Sequence, residues 1–143
     1  MKLLSIACVS VVSSVLFSCG GESSPVLARA AADPTRSPLE VVNARMAAYN
    51  GHDLEAFLAT YAEDVEVYTY PDDSLGGGLD HMRSIFEPMF EEGSVQVTLH
   101  HQIAKDGYVI NHETVTDEGE ETEYVSIYEV RDGLIESVRF VRD

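Results

Sequence analysis

Five histidines, two cysteines and seven tyrosines hold most of the chemistry open to this 143-residue chain. His101 falls in phase with Val95, Val97, Leu99 and Ile103, a period-two alternation that predicts a half-buried strand. If Asp106-Gly107 closes a two-residue turn, His101 faces His112 across the hairpin. Imidazole titrates near neutral pH, so on a pocket wall His101 and His112 are the candidate catalytic acid and base. The competing reading is a partly buried histidine satisfied by a neighbouring strand or tyrosine. Adding His100 raises the question of zinc. Adjacent residues on a strand point to opposite faces, so His100, His101 and His112 are not expected to converge, and neither a metal nor a cofactor is expected.

Tyr49, Tyr61, Tyr68, Tyr124 and Tyr128 are numerous for a chain without Trp, and each joins an apolar body to a polar tip. They suit a pocket for a small apolar or aromatic ligand with one or two oxygens, or else they form core and core edge. The acidic run Asp117 to Glu123 lacks the spacing of a calcium loop and reads as a solvated hairpin tip. Gly76-Gly77-Gly78 has no following Lys-Ser/Thr and reads as a flexible lead into a helix, without phosphate binding.

The second reactive feature is at the N-terminus. Met1-Lys2 is a short positive start, and Leu3 to Phe17 follows without a charge. That is the pattern of an export signal, too short for a permanent membrane span. Leu16-Phe17-Ser18-Cys19 resembles the bacterial lipobox, with Phe17 departing from its usual small residue. Residues 1–18 are therefore expected to leave with Cys8, and Cys19 to be lipidated and to hold the protein to a membrane surface. Cleavage at Ala28-Arg29-Ala30 is the alternative. Gly20 after the cysteine resembles sorting to the periplasmic side of an outer membrane. Residues 19–37, broken by Pro25 and Pro34, read as a flexible tether.

The formal net charge of −16 excludes nucleic acid as a ready partner and disfavours direct adhesion to anionic lipid. What remains, residues 38–143, has room for one domain. Ser37-Pro38-Leu39-Glu40 is a capping box that opens a helix with an apolar stripe of Leu39, Val42, Met46 and Tyr49. Asp53 caps a second helix with Leu54, Phe57, Leu58 and Tyr61 on its buried face. A β-prone run through Val65, Val67 and Tyr68 follows, then a third amphipathic helix with Met82, Ile85, Phe86, Met89 and Phe90, which Pro88 can kink. Beyond Gly93 the period changes to two, and strands run at about 95–103, 108–116, 122–130 and 134–141. Helices first and an antiparallel meander afterwards define an α+β fold.

The last hairpin has two registers. A two-residue turn at Asp132-Gly133 pairs Ser126 with Arg139, and a three-residue loop with a glycine bulge pairs Ser126 with Val138. The second is preferred, because it sets Tyr124, Tyr128, Val130, Leu134, Val138 and Phe140 on one face and avoids Glu129 opposite Glu136.

Three motifs now carry a resemblance: Ala48-Tyr49-Asn50-Gly51-His52-Asp53-Leu54-Glu55, Tyr61-Ala62-Glu63-Asp64-Val65, and Tyr128-Glu129-Val130-Arg131-Asp132-Gly133-Leu134-Ile135. With them the chain resembles the nuclear transport factor 2-like superfamily, in its SnoaL-like and steroid Δ-isomerase branch, from about residue 38 onward. The resemblance implies a cone-shaped α+β barrel, three helices held in a strongly curved mixed or antiparallel sheet, with an apolar pocket at the open end. It puts Thr69 where the isomerases hold their general base and Arg45 and Ser126 where they hold their oxyanion donors. None of the three residue types is retained, so the isomerase mechanism is not expected. Arg45, Thr69 and Ser126 instead form a polar patch able to hold a ligand oxygen, beside a wall of the tyrosines, Phe86, Val138 and Phe140. The resemblance further implies a homodimer through the outer sheet, with Val125, Ile127 and Ile135 as its contacts. An isomerase, cyclase or dehydratase using His101 or His112 is the enzymatic alternative.

Overall fold

The computed structural model describes residues 32–142. The export signal, Cys19 and the tether as far as residue 31 lie outside the described residues.

Ser37 opens the first helix as its sequence predicts. Its side chain accepts from the Glu40 amide at 3.3 Å, and Glu40 Oε2 accepts from the Ser37 amide at 2.8 Å, so two end donors are satisfied reciprocally. Helix α1 (Pro38–Asn50) then buries Val41, Val42, Arg45, Ala48 and Tyr49. The Asp53 carboxylate accepts from the Ala56 amide at 3.0 Å and starts the short α2 (Leu54–Leu58). Strand β1 (Tyr61–Thr69), strand β2 (Asp73–Gly77) and helix α3 (Leu79–Glu92) follow. Pro88 lies within α3 and does not divide it. Strands β3 (Gln96–Lys105), β4 (Tyr108–Asp117), β5 (Glu120–Arg131) and β6 (Leu134–Val141) complete the chain.

The six strands form one sheet in the order β2-β1-β6-β5-β4-β3. It is mixed because β1 runs parallel to β6, while every other pair is antiparallel. Helix α1 packs against β3, β4, β5 and β6, so the sheet curls around it. Val41, Val42, Phe57, Val65, Val95, Val109, Tyr128 and Ile135 are fully buried between helices and sheet.

Three register details depart from the sequence reading. The expected three-helix cone lacked β2, whose Asp-Ser-Leu-Gly-Gly sequence has no apolar alternation and which exists by pairing with the edge of β1. In β3, the register shifts between Leu99 and His101, leaving His100 as an extra residue. Val97 and Leu99 pair with the inward Val115 and Glu113, whereas His101 and Ile103 pair with the outward His112 and Ile110. The alternation is therefore reversed at His100.

In the last hairpin Asp132 and Gly133 both have positive φ, 49° and 76°, and form the two-residue turn. A bulge at Glu136 then pairs Ser126 with Phe140, a register that matches neither alternative. The bulge removes the Glu129 to Glu136 opposition. Ser137 stands opposite Glu129 and its Oγ donates to Glu129 Oε2 at 3.3 Å. The two-residue turn, by pairing Val130 with Ile135, exchanges two side chains: Ile135, expected on the outer face, is fully buried, and Leu134, expected inside, is half-buried.

Candidate functional site

The helices and the inner sheet face enclose a cavity of about 330 Å³. Helix α1 contributes Arg45 and Tyr49 to it, β1 Tyr61 and Val67, and α3 a stripe of His81, Met82, Ile85, Phe86 and Met89. Val115, Tyr124, Val138 and Phe140 close the sheet side, with Leu75 and Arg142 also on the wall. The walls are apolar because the period-two positions of β4, β5 and β6 meet the 3.6-period stripe of α3. Phe57, Phe86, Phe90 and Tyr49 pack in edge-to-face and tilted pairs beneath them, with centroids 4.7 to 6.1 Å apart.

Two buried charges interrupt this apolar surface. Arg45 is 4% exposed, and its guanidinium carbon lies 5.0, 5.3 and 5.5 Å from the ring centres of Tyr49, Phe57 and Tyr128. Its Nε donates to Tyr61 Oη at 3.1 Å, and its Nη1, also buried, has no hydrogen-bond partner among the described residues. Burial works against the Arg45 charge, but Tyr128, Tyr61 and Glu113 around it more than compensate and raise its pKa above the ordinary value.

Glu113 is the second charge, 1% exposed on β4. Oε1 accepts from Ser126 Oγ at 2.7 Å and Tyr128 Oη at 3.2 Å, and Oε2 accepts from Asn111 Nδ2 at 3.0 Å. Asn111 in turn accepts from Gln102, which also donates to Asn43, so the network runs outward to α1. Burial pushes the Tyr128 phenol well above its ordinary pKa, and pushes Tyr49 up to about 12. Both remain neutral donors throughout the physiological range.

Of the residues expected at the pocket, Arg45, Tyr49, Tyr61, Phe86, Tyr124, Val138 and Phe140 line the cavity. Ser126 and Tyr128 are buried behind it and reach it through Glu113. Tyr68 points away: its hydroxyl donates to Glu66 at 2.6 Å and its ring lies under Arg139. Thr69 is outside the lining, and Tyr61 and Val67 are the β1 residues that border the cavity. His101 and His112 stand on the outer face beside Ile103, Ile110 and Val125, a correction: the bulge at His100 takes His101 out of phase with Val97, and β4 turns Asn111 and Glu113 inward, which leaves His112 facing out. They do not serve this cavity as acid or base.

Glu113 and His81 were not anticipated. Both phases of Tyr108 to Thr116 mix apolar with polar residues, so alternation does not reveal which phase is buried. The available signal was Val109 and Val115 in phase with Asn111 and Glu113.

A curved sheet holding helices over an apolar cavity with a few convergent polar groups defines a small-molecule pocket domain. The chain belongs to the SnoaL-like domain family, whose model matches residues 42–138. The fold agrees with solved structures of the nuclear transport factor 2-like kind. A protein of that description and unknown function from Cytophaga hutchinsonii is 16% identical, with a TM-score of 0.65 over 75% of this chain and 90% of that one. A computationally designed 17-OHP binder is 24% identical, with a TM-score of 0.66 over 76% and 93%. An LEH-like epoxide hydrolase from M. tuberculosis is 20% identical, with a TM-score of 0.61 over 74% and 82%. No curated protein matches the sequence.

Proposed function

We propose that this domain binds a small, largely apolar molecule and anchors one neutral oxygen of it, a carbonyl or hydroxyl, on Arg45. The observation that carries the reading is the buried Arg45 Nη1, a donor without a partner among the described residues, beside an apolar cavity of about 330 Å³. A buried donor left unmatched costs about 1–3 kcal/mol, which an acceptor on the ligand recovers. The acceptor is neutral because Glu113 already offsets the guanidinium charge, and a second buried anion would leave excess negative charge. Binding is favoured over chemistry because the Glu113 oxygens are occupied by three donors. The designed 17-OHP binder gives a precedent for a ligand in this fold.

Titration of a panel of cyclic ketones and alcohols, followed by thermal shift and calorimetry, tests this. Wild type is expected to bind at least one neutral member better than its carboxylic acid analogue, and Arg45→Met to lose about tenfold or more. Equal binding by Arg45→Met, or a consistent preference for the acids, overturns the oxygen anchor.

The proposed setting is outside the cytoplasm, with the domain lipid-anchored through Cys19, supported by the uncharged run Leu3 to Phe17 before that cysteine. Metabolic labelling with an alkyne fatty acid should mark the wild type and not Cys19→Ser. A homodimer through Val125 and Ile127 is proposed for the outer face, and sedimentation of Val125→Glu against the wild type tests it.

A further inference from the structure

On the side of the sheet facing away from the cavity, we propose a transition-metal site in which His101 and His112 are the first two ligands and His100 the third. The bulge that removes His101 from the cavity brings all three imidazoles to one patch. The rings of His100 and His112 lie 5.0 Å apart and those of His101 and His112 5.6 Å apart, the latter within 3° of parallel. His101 Nδ1 and His112 Nδ1 are 3.3 Å apart. Two nitrogens bound to one tetrahedral zinc at 2.0–2.1 Å are also separated by about 3.3 Å, so a metal keeps this spacing and needs only that the two facing rings tilt toward it.

The tautomers favour the same arrangement. His112 Nε2 lies 2.5 Å from Glu123 Oε1. An ionised carboxylate only accepts, so Nε2 carries the hydrogen and Nδ1 of neutral His112 holds the lone pair. His101 then supplies the one proton between the two Nδ1 atoms. A divalent cation takes both Nδ1 lone pairs once neutral His101 carries its proton on Nε2 instead, with Glu123 orienting His112 in the carboxylate–histidine–metal pattern.

No three such groups among the described residues already stand in a metal-holding arrangement. The third ligand comes from His100, exposed and hydrogen-bonded to Thr114 Oγ1 at 2.8 Å, through rotation of its ring. A water can complete the shell. The net charge of −16 raises the local concentration of cations at such a surface. Imidazole nitrogens with one carboxylate behind them suit zinc, copper or nickel over calcium or magnesium.

The test is calorimetric titration of residues 32–143, tag-free, with zinc and copper chlorides, at a concentration where sedimentation shows one species. This segment holds the whole core and neither cysteine, so no thiol competes. One metal per chain is expected. His101→Ala and His112→Ala should each weaken it by about tenfold or more and Glu123→Gln by about tenfold, while His81→Ala leaves it unchanged. Coincident melts will show that these exposed positions leave the fold intact, and histidine ring shifts in NMR should report His100, His101 and His112 together. Binding by the His101→Ala/His112→Ala double variant equal to wild type, or no saturable binding by the wild type at millimolar metal, overturns the site.

Discussion

Arg45 and Glu113 are buried charges with opposite circumstances. Both Glu113 oxygens are occupied by donors from Ser126, Tyr128 and Asn111, while among the described residues Arg45 has a single hydrogen bond, to Tyr61, and the faces of three rings. Removing the carboxylate therefore damages the fold more than removing the guanidinium. Glu113→Ala orphans three donors and strips Arg45 of its counter-charge, and should cost about 3 kcal/mol or more in urea unfolding. Arg45→Met keeps the length and apolar bulk of the side chain, and leaves Glu113 with its three hydrogen bonds. Its stability loss should be the smaller of the two even though its ligand binding is the more impaired. A larger loss for Arg45→Met in the same urea series would contradict this order.

At the scale of elements, caps and turns decide where strands and helices sit. Ser37→Ala should destabilise the domain by about 1 kcal/mol, read from the denaturation midpoint at constant slope. Hydrogen bonds from the Ser37 hydroxyl first, then from its amide, hold the Glu40 carboxyl below its ordinary pKa. Because the folded value is the lower one, this contribution is present above the ordinary carboxylate range and fades as pH falls through the folded value. The stability gap between wild type and Glu40→Gln should accordingly be wider at pH 7 than at pH 3. Gly133 tests the last hairpin: its φ is +76°, and a Cβ there would stand 2.0 Å from the Asp33 carbonyl oxygen. Gly133→Ala should cost more than about 1 kcal/mol, since neither the dihedral nor the backbone of Asp33 accommodates it. The capping box was legible beforehand because its two partners are three residues apart. The bulges at His100 and Glu136 were not, because an extra residue in one strand is fixed by what the opposing strand can accept.

At the scale of the whole molecule, the curled sheet has two chemically different faces. The inner face carries the cavity with Arg45 and Glu113, and the outer face carries the three histidines beside Ile103, Ile110 and Val125. Loading metal on the outer face should therefore leave the affinity of the cavity for its ligand unchanged, as sequential titrations can establish. From local pattern alone came the α+β class, the capped helices, the meander and most of the apolar wall, because these depend on residues near one another in the chain. Which phase of a strand faces inward depends on register, and register is set by partners distant in sequence. A single bulge moved His101 out of the expected active site, and the phase of β4 turned His112 out and brought in Glu113. Local periodicity specifies that strands exist, and only the packed sheet decides which of their polar residues meet.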